Sequence, residues 1–270
     1  MNLLFVLDPL ETLKIEKDTS YVMMREAQSR GHQIWVTTQH DIQNVSGKVI
    51  VRAQHLILTE TPNTWYEVVT SQDISASNID GVVMRKDPPF DMEYIYTTYL
   101  LESLEQEGCL VFNRPQSIRD FNEKLSITKY PQFISPTLVA ADVSVINDFI
   151  AEQNEVVLKP LDGMGGSSVF RSRSQDPNLG VIIETLTQLG QRTIMVQKFI
   201  PDISDGDKRV LLIDGEPAPY TLARIPQGAD HRGNLAVGGR GVAMPLTNRE
   251  REIADTLGPT LTEQGLLLVG

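Results

Sequence analysis

The chain has 270 residues, of which 41% are hydrophobic and 22% are charged, and this balance excludes a disordered or collagen-like protein. The net charge of −11 argues against general nucleic-acid binding, and no apolar run approaches the roughly 18 residues of a membrane span. A single cysteine, Cys109, excludes an internal disulfide framework and a cysteine-based zinc site. We therefore expect a cytoplasmic protein, with two domains because the length exceeds that of most single domains.

The first 120 residues alternate between strand and helix patterns. Short apolar runs predict strands at residues 3–7, 33–37, 81–84 and 110–112. Helices are predicted at residues 19–30 and 92–107, ending at Gly31 and Gly108. Residues 49–58 favour further strands or a hairpin, but their register is not readable. This alternation is typical of an open, largely parallel α/β sheet.

Charged residues follow two of these predicted strands. Asp8 and Pro9 come after the strand at residues 3–7, and the segment 85–89 comes after the strand at 81–84. Because ligands of such sheets bind beyond the carboxyl ends of the strands, we expect both segments to lie at a ligand-binding edge.

A second unit begins near Phe121. Strands are predicted at residues 156–159, 169–173, 193–199, 208–213, 216–224 and 266–269. Helices are predicted at residues 143–150, 178–189 and 248–264. Asp214 and Gly215 form a strong signal for a two-residue hairpin turn.

The most informative segment is residues 156–170, where three glycines and two serines separate two β patterns. Glycine allows close backbone approach to a ligand, and successive N–H groups on such a loop suit phosphate oxygens. Lys159 ends an apolar run, where burial is costly unless an anion meets the ammonium group. The loop is either a flexible hairpin connection or a phosphate site, and Lys159 favours the phosphate site. The Walker sequence is absent, and no dinucleotide fingerprint follows the first strand.

Two further segments have the composition of a nucleotide site. Lys124 is a second candidate phosphate ligand, although a lone lysine is usually a surface residue. Residues 197–201 end a predicted strand with free backbone groups and apolar side chains, as the edge and face of adenine require. An ordinary strand end has the same composition.

Residues 122–124, 159–166 and 205–209 together resemble segments of ATP-grasp ligases. Within that superfamily, residues 84–91, 223–228 and 232–241 are similar to the bacterial glutathione synthetase family, and the resemblance runs along the whole chain. It implies a Rossmann-like N-terminal (pre-ATP-grasp) domain over residues 1–120 and an ATP-grasp α+β domain over residues 121–270. It also implies ATP-dependent ligation of γ-glutamylcysteine and glycine through an acyl phosphate.

The resemblance also implies which residues bind ATP. Two lysines would hold the phosphates, a loop would cover them, a strand end would line the adenine pocket and an aspartate would make a polar contact. These residues are Lys124, Lys159, Gly163, Met164, Gly165, Gly166, Ser167, Ser168, Gln197, Lys198, Phe199, Ile200 and Asp207. Residues 225–241 resemble a mobile loop whose closure would keep water from the acyl phosphate.

Several arginines stand out in a chain of net charge −11. Each alone is typical of a solvated surface, but together they suit a substrate with carboxylates, which guanidinium groups bind bidentately. The predicted substrate-binding residues are Arg85, Arg224, Arg232, Asn234 and Arg240. The predicted catalytic residues are Arg209, Arg224 and Arg240, with Arg240 contacting the transition state.

The family resemblance implies Mg²⁺, or Mn²⁺, as a second cofactor. Its main ligands lie in segments that follow the position of Gly270 in the family, so no metal ligand is predicted within these residues. Mg²⁺ needs few carboxylates, but it needs some. We therefore expect the chain as written to be weakly active or inactive, and a longer parent chain to be a ligase. Cys109 is not needed as a nucleophile, because ATP activates the carboxylate.

Three other functions stay open: a different ATP-grasp ligase, a non-catalytic nucleotide-binding module and a nicotinamide-dependent oxidoreductase. The absent glycine fingerprint argues against the last. The predicted partners are small-molecule substrates rather than nucleic acid or membrane, and a homo-oligomer is expected because the family is usually oligomeric.

Overall fold

The computed structural model describes residues 1–59, 61, 64–227, 233–235 and 238–270. The chain divides into two compact units. The first comprises Met1–Asp120 and Leu261–Leu268, and the second comprises Phe121–Thr260 and Val269–Gly270. Among the described residues, none of the helices has the length and apolar character needed to cross a membrane.

A sheet with helices on both faces forms the first unit. Its described strands are β1 (Asn2–Val6), β2 (Gln33–Thr37), β3 (Ile42–Val45), β4 (Lys48–Leu58), β5 (Tyr66–Ser75), β6 (Gly81–Met84) and β7 (Leu110–Phe112). Its helices are α1 (Thr19–Ser29), α2 (Met92–Gln106) and α3 (Pro115–Asp120). The strand order is β3–β4–β2–β1–β6–β7, and β5 pairs with β4.

The sheet is mixed, so the prediction of a largely parallel sheet is wrong for one half of it. Strand β1 pairs in parallel with β2 and β6, and β6 pairs in parallel with β7. Strand β4 pairs antiparallel with β2, β3 and β5. Buried and exposed side chains alternate along most of β4, as they do in strands with one solvated face.

Strand β1 lies between two cores because its side chains alternate between the two faces of the sheet. Leu4 packs in one core with Leu101 of α2. Phe5 packs in the other core with Met24 of α1. Asp18 starts α1 by accepting a hydrogen bond from the Ser20 N–H at 2.7 Å.

Along the rest of the described chain, antiparallel strands dominate. The strands are β8 (Thr137–Ala140), β9 (Glu155–Pro160), β10 (Phe170–Arg173), β11 (Ile194–Lys198), β12 (Asp207–Arg209), β13 (Leu212–Ile213), β14 (Glu216–Pro217), β15 (Tyr220–Ile225), β16 (Arg240–Pro245) and β17 (Leu268–Val269). The helices are α4 (Val143–Gln153), α5 (Leu179–Thr187) and α6 (Asn248–Glu263). One sheet has the order β10–β9–β11–β8 and another has the order β12–β15–β16.

The hairpin predicted around Asp214 and Gly215 is present, with φ angles of 50° and 80° at these residues. Its two predicted strands are each broken, into β12 and β13 before the turn and β14 and β15 after it. The pieces nearest the turn, β13 and β14, pair with each other, and so do the outer pieces, β12 and β15. Strand β15 also pairs with β16 on its other side.

Helices α4 and α5 cover one face of the β10–β9–β11–β8 sheet. Val156, Leu158 and Val196 are fully buried in this core. The alternate residues Val157 and Lys159 are only half-buried, because they point to the opposite face of β9. That opposite face carries the candidate site.

Candidate active site

The uncovered face of this sheet forms a cleft of about 470 Å³, a volume within the roughly 300–1,000 Å³ of small-molecule sites. The predicted residues that line it are Lys124, Lys159, Gly163, Met164, Gly165, Gly166, Ser167, Gln197, Lys198, Phe199, Ile200, Asp207 and Asn234. The cleft therefore brings together residues that lie up to 110 positions apart in the sequence, from Lys124 to Asn234.

Two lysine side chains meet at the glycine-rich loop. Lys124 is 13% exposed, donates from Nζ to the Gly163 carbonyl and lies 3.4 Å from Glu123 Oε1. Lys159 makes no ion pair within the described residues. Burial lowers the pKa of Lys159, the charge of Lys124 lowers it further, and Glu123 opposes both effects. The two ammonium groups thus carry more positive charge than the neighbouring Glu123 carboxylate neutralises, which suits a bound anion.

The glycine-rich loop between β9 and β10 turns sharply over the cleft. The Ser167 N–H donates to the Met164 carbonyl at 3.0 Å. Gly165 and Gly166 have φ angles of 62° and 81°, which glycine adopts without steric cost. Ser168 has a φ of 55° and, unlike the preceding five residues, does not line the cleft. Consecutive residues in such conformations turn N–H groups towards one side, as phosphate-binding loops do.

Strand β11 ends at the cleft with an acceptor and a donor. Lys198 N–H donates to Pro136 and Phe199 N–H donates to Glu155, both at 2.9 Å. Within the described residues, Ile200 N–H has no acceptor, and the Lys198 carbonyl is approached by Ser135 Oγ at a long 3.4 Å. Because backbone groups alternate in direction along a strand, those of Lys198 and Ile200 face the same edge.

Comparison with known families covers both units. The profile described as "Prokaryotic glutathione synthetase, N-terminal domain" matches residues 1–119, and that described as "Prokaryotic glutathione synthetase, ATP-grasp domain" matches residues 123–270. The chain belongs to the prokaryotic glutathione synthetase family. It is therefore an ATP-dependent ligase, and the predicted family is confirmed.

Curated relatives share about half of their residues with this glutathione synthetase family member. The glutathione synthetase of Nitrosomonas europaea is 54% identical over 273 residues, which cover 100% of this chain and 85% of that protein. That of Pseudomonas putida is 52% identical over 265 residues, which cover 98% of this chain and 84% of that protein.

Solved structures show the fold at much lower identity. D-cycloserine synthetase DcsG has a TM-score of 0.65 at 16% identity, covering 98% of this chain and 83% of its own. The ATP-grasp ligase PsnB, complexed with its precursor peptide and AMPPNP, has a TM-score of 0.57 at 17% identity. The match covers 99% of this chain and 82% of the PsnB chain. The predicted fold class, a Rossmann-like N-terminal domain followed by an ATP-grasp domain, is confirmed.

Three predicted arginines of the second unit, Arg209, Arg224 and Arg240, lie outside the described lining of the cleft. Arg224 donates from Nε to Asp207 Oδ1 at 2.8 Å and from a second nitrogen to Oδ2, which joins β15 to β12. Arg209 and Arg240 are exposed on β12 and β16. Arg232 lies outside the described residues, as do parts of the predicted loop 225–241. Asn234, predicted as a substrate ligand, lines the cleft together with the predicted ATP ligands.

In the first unit, Arg85 lies at the carboxyl end of β6. It donates from Nε to Ser20 Oγ at 3.2 Å and from a terminal nitrogen to Thr19 Oγ1 at 2.7 Å. Both partners are neutral, so they position the guanidinium group without neutralising it. The segments after β1 and β6 do meet here, because the Lys86 ammonium lies 2.8 Å from the Asp8 carboxylate.

A raised pKa marks two neighbours of Arg85. Burial raises the pKa of Asp87, with Asp8 and Asp18 adding to the effect. Burial also raises the pKa of Tyr94 to about 12. Perturbed carboxyl and phenol groups of this kind are common near ligand sites.

Several residues that line the cleft were not among the predicted ligands. They are Glu123, Phe133, Ile134, Ser135, Val157, Pro160, Val169, Ile203 and Gly233. The apolar pair at 133–134, placed just after a proline in an otherwise polar connection, was the available signal. Its position opposite the end of β11 depends on strand register, which the sequence did not reveal.

Proposed function

We propose that the substrates of this glutathione synthetase family member are γ-glutamylcysteine and glycine, and that the cleft of its second unit holds the ATP. The observation that carries the nucleotide assignment is the pair of partly buried ammonium groups, Lys124 and Lys159, beside a glycine-rich loop. Membership of the prokaryotic glutathione synthetase family supports the choice of substrates.

The donors and acceptors of the cleft fit the two ends of ATP. At one end, the ammonium groups and the loop amides suit phosphate oxygens. At the other end, the Lys198 carbonyl would accept from the 6-amino group of adenine, and the Ile200 N–H would donate to ring nitrogen N1. Guanine carries an acceptor and a donor in the reverse positions, so this edge favours adenine.

The chemistry begins with a carboxylate, which is a poor electrophile. In the proposed reaction, a carboxylate oxygen of the cysteinyl residue attacks the γ-phosphorus, and the bond to ADP breaks. The glycine amine then attacks the carbonyl carbon of the acyl phosphate, the carbon–oxygen bond breaks, phosphate leaves and the amine loses a proton. Lys124 and Lys159 would disperse the negative charge that the phosphoryl oxygens carry during transfer.

The ATP-grasp family generally implies Mg²⁺ as well as ATP. Among the described residues, no group of three or more His, Cys, Asp or Glu side chains could hold a metal ion. Of the two carboxylates in the described lining of the cleft, Asp207 is bound by Arg224 and Glu123 lies beside Lys124. These described residues do not fit a protein-built metal site.

Arg85 is the arginine that best suits a substrate carboxylate. Its hydroxyl partners fix its position, and its charge stays available for a bidentate contact. The roles predicted for Arg209, Arg224, Arg232 and Arg240 stay predictions, as do the homo-oligomer, the cytoplasmic location and the domain boundary at residue 120. The near agreement of that boundary with the first unit supports it.

The test measures ATP binding by calorimetry and then ADP release on addition of γ-glutamylcysteine and glycine. The assay is run on this chain and on a chain extended to the length of its relatives. We expect ATP binding by both chains, turnover by the extended chain, and weak or no turnover by this chain. With an ¹⁸O-labelled cysteinyl carboxylate, one labelled oxygen should appear in the released phosphate, because the acyl phosphate loses its carbon–oxygen bond.

A panel of acceptor amines separates the alternatives. Faster turnover with another amine than with glycine would indicate a different ATP-grasp ligase. ATP binding without ADP release from the extended chain would indicate a nucleotide-binding module. Absence of ATP binding by both chains would overturn the assignment of the cleft.

A further inference from the structure

Pro136 lies where the ladder between β8 and β11 calls for a hydrogen-bond donor. Gln197 pairs with Thr137 in this antiparallel ladder, which sets Lys198 opposite Pro136. The Lys198 N–H donates to the Pro136 carbonyl at 2.9 Å. Residues that face each other in such a pair normally exchange two bonds, one in each direction. Proline has no N–H, so the second bond, to the Lys198 carbonyl, is not made.

The neighbouring pair supports this pattern of bonds. Pairs with and without backbone bonds alternate along an antiparallel ladder, and side chains approach more closely in the pairs without them. Gln197 and Thr137 behave as a pair without backbone bonds, because their side chains are in contact. The side-chain amide of Gln197 donates to Thr137 Oγ1 at 2.9 Å. The pair that follows, Lys198 with Pro136, is therefore of the bonded kind and lacks one of its bonds.

The Lys198 carbonyl consequently keeps its acceptor capacity where it borders the cleft. The nearest donor in the described residues is Ser135 Oγ, at a long 3.4 Å. Ser135 and Lys198 both line the cleft, whereas Pro136 is exposed and does not. The effect of Pro136 on a ligand must therefore pass through the carbonyl that it leaves open.

We infer that Pro136 is a specificity-determining residue, which keeps the Lys198 carbonyl open for the 6-amino group of adenine by withholding an amide hydrogen. This inference rests on the proposed binding of ATP in the cleft. The missing hydrogen bond explains how the end of β11, whose backbone carbonyl would otherwise be bonded to the adjacent chain, can still recognise a nucleobase. It also gives a residue outside the cleft a defined effect on nucleotide choice.

The test compares two nucleotides in wild type and in Pro136→Ala. ATP and purine riboside triphosphate differ by the 6-amino group alone. We expect wild type to bind ATP about tenfold more tightly, the upper range for one hydrogen bond. The variant supplies an N–H that competes for the Lys198 carbonyl, so the ratio should fall to about two- to threefold. A general loosening of the strand would weaken both nucleotides equally and leave the ratio unchanged.

Pro131→Ala is the matched control, because Pro131 is exposed at the start of a short turn, outside the ladder. The ratio of the affinities of Pro131→Ala for the two nucleotides should stay at the wild-type value. Pro136→Val is a second variant that adds the same N–H with a strand-favouring side chain, in case alanine impairs folding.

Equal binding of the two nucleotides by wild type would overturn the inference without any variant. The inference would also be overturned if folded Pro136→Ala or Pro136→Val kept the wild-type ratio of affinities for ATP and purine riboside triphosphate. If wild type binds neither nucleotide, the proposed ATP site itself fails, and this result is distinct from a lost preference between them.

Discussion

Replacing Lys159 by methionine should weaken ATP binding without weakening the fold. Methionine keeps most of the length and the apolar character of the lysine stem but removes the charge. Burial and the neighbouring Lys124 both lower the pKa of Lys159, so the folded protein disfavours its charged form. The substitution removes that cost, and the free energy of unfolding should stay the same or rise.

The expected loss of affinity follows from the contact that the ammonium group makes with phosphate. A charge-assisted hydrogen bond contributes about 1.5–3 kcal/mol, which corresponds to a roughly 10- to 150-fold change in the dissociation constant. The neighbouring Lys124 stays in place in this variant, so the expected loss is that of one of two ammonium contacts.

The dependence on pH has a defined sign. The ordinary pKa of lysine, 10.5, applies to the unfolded chain, and the pKa of Lys159 in the folded protein is lower. Between these two values the unfolded chain binds more protons, so wild-type stability gains from rising pH there, and Lys159→Met lacks that gain. ATP prefers the charged lysine, so its affinity for wild type should fall as pH rises through the lowered pKa.

Calorimetric titration with ATP measures the affinity, and chemical denaturation measures the stability. Lys17→Met is the control, because Lys17 is an exposed lysine of the first unit. It should change neither quantity. The reasoning is refuted if Lys159→Met binds ATP within about twofold of wild type, or if it unfolds more easily.

Two other predictions concern Arg171 and Tyr94. The Arg171 guanidinium is held by Glu155 at 2.8 Å and lies 3.8 Å from the centre of the Phe199 ring, so we expect it to position Phe199 beside the proposed adenine site. Arg171→Ala should raise the KM for ATP about two- to fivefold and leave kcat unchanged. Arg173→Ala is the control, because it loses a contact with Glu155 but no contact with an aromatic ring, and it should change neither KM nor kcat. Burial raises the pKa of Tyr94 from 10 to about 12, so wild-type stability should fall as pH rises between these values. Denaturation series at alkaline pH should show a smaller fall for Tyr94→Phe, and equal slopes would contradict the assignment.

Much of the first unit was predictable because its central strands are short apolar runs with clear ends. The strands at 33–37 and 81–84 have the predicted bounds, and Gly31 and Gly108 have positive φ angles where the helices end. Strands β3 and β5 were missed because most of their side chains are exposed and polar, which leaves little hydrophobic pattern. Their pairing with β4 makes the sheet mixed.

The candidate site also combines residues that could be predicted from the sequence with residues that could not. Lys159 was predictable because a lysine at the end of an apolar run needs an anionic partner, whereas Lys124 was assigned through the family resemblance of residues 122–124. The structure brings both lysines into one cleft. Arg224 could not be assigned from sequence, because its pairing with Asp207 depends on how β12 aligns with β15. The role of Pro136 could not be predicted either, because its missing N–H matters only where the strand register places it opposite Lys198.

A structure of this chain with a non-hydrolysable ATP analogue tests the ATP site most directly. We predict that the terminal phosphate lies within hydrogen-bond distance of both Lys124 and Lys159, and that the 6-amino group of adenine donates to the Lys198 carbonyl. A nucleotide bound elsewhere, or bound with its phosphates away from both lysines, would contradict this account of the cleft.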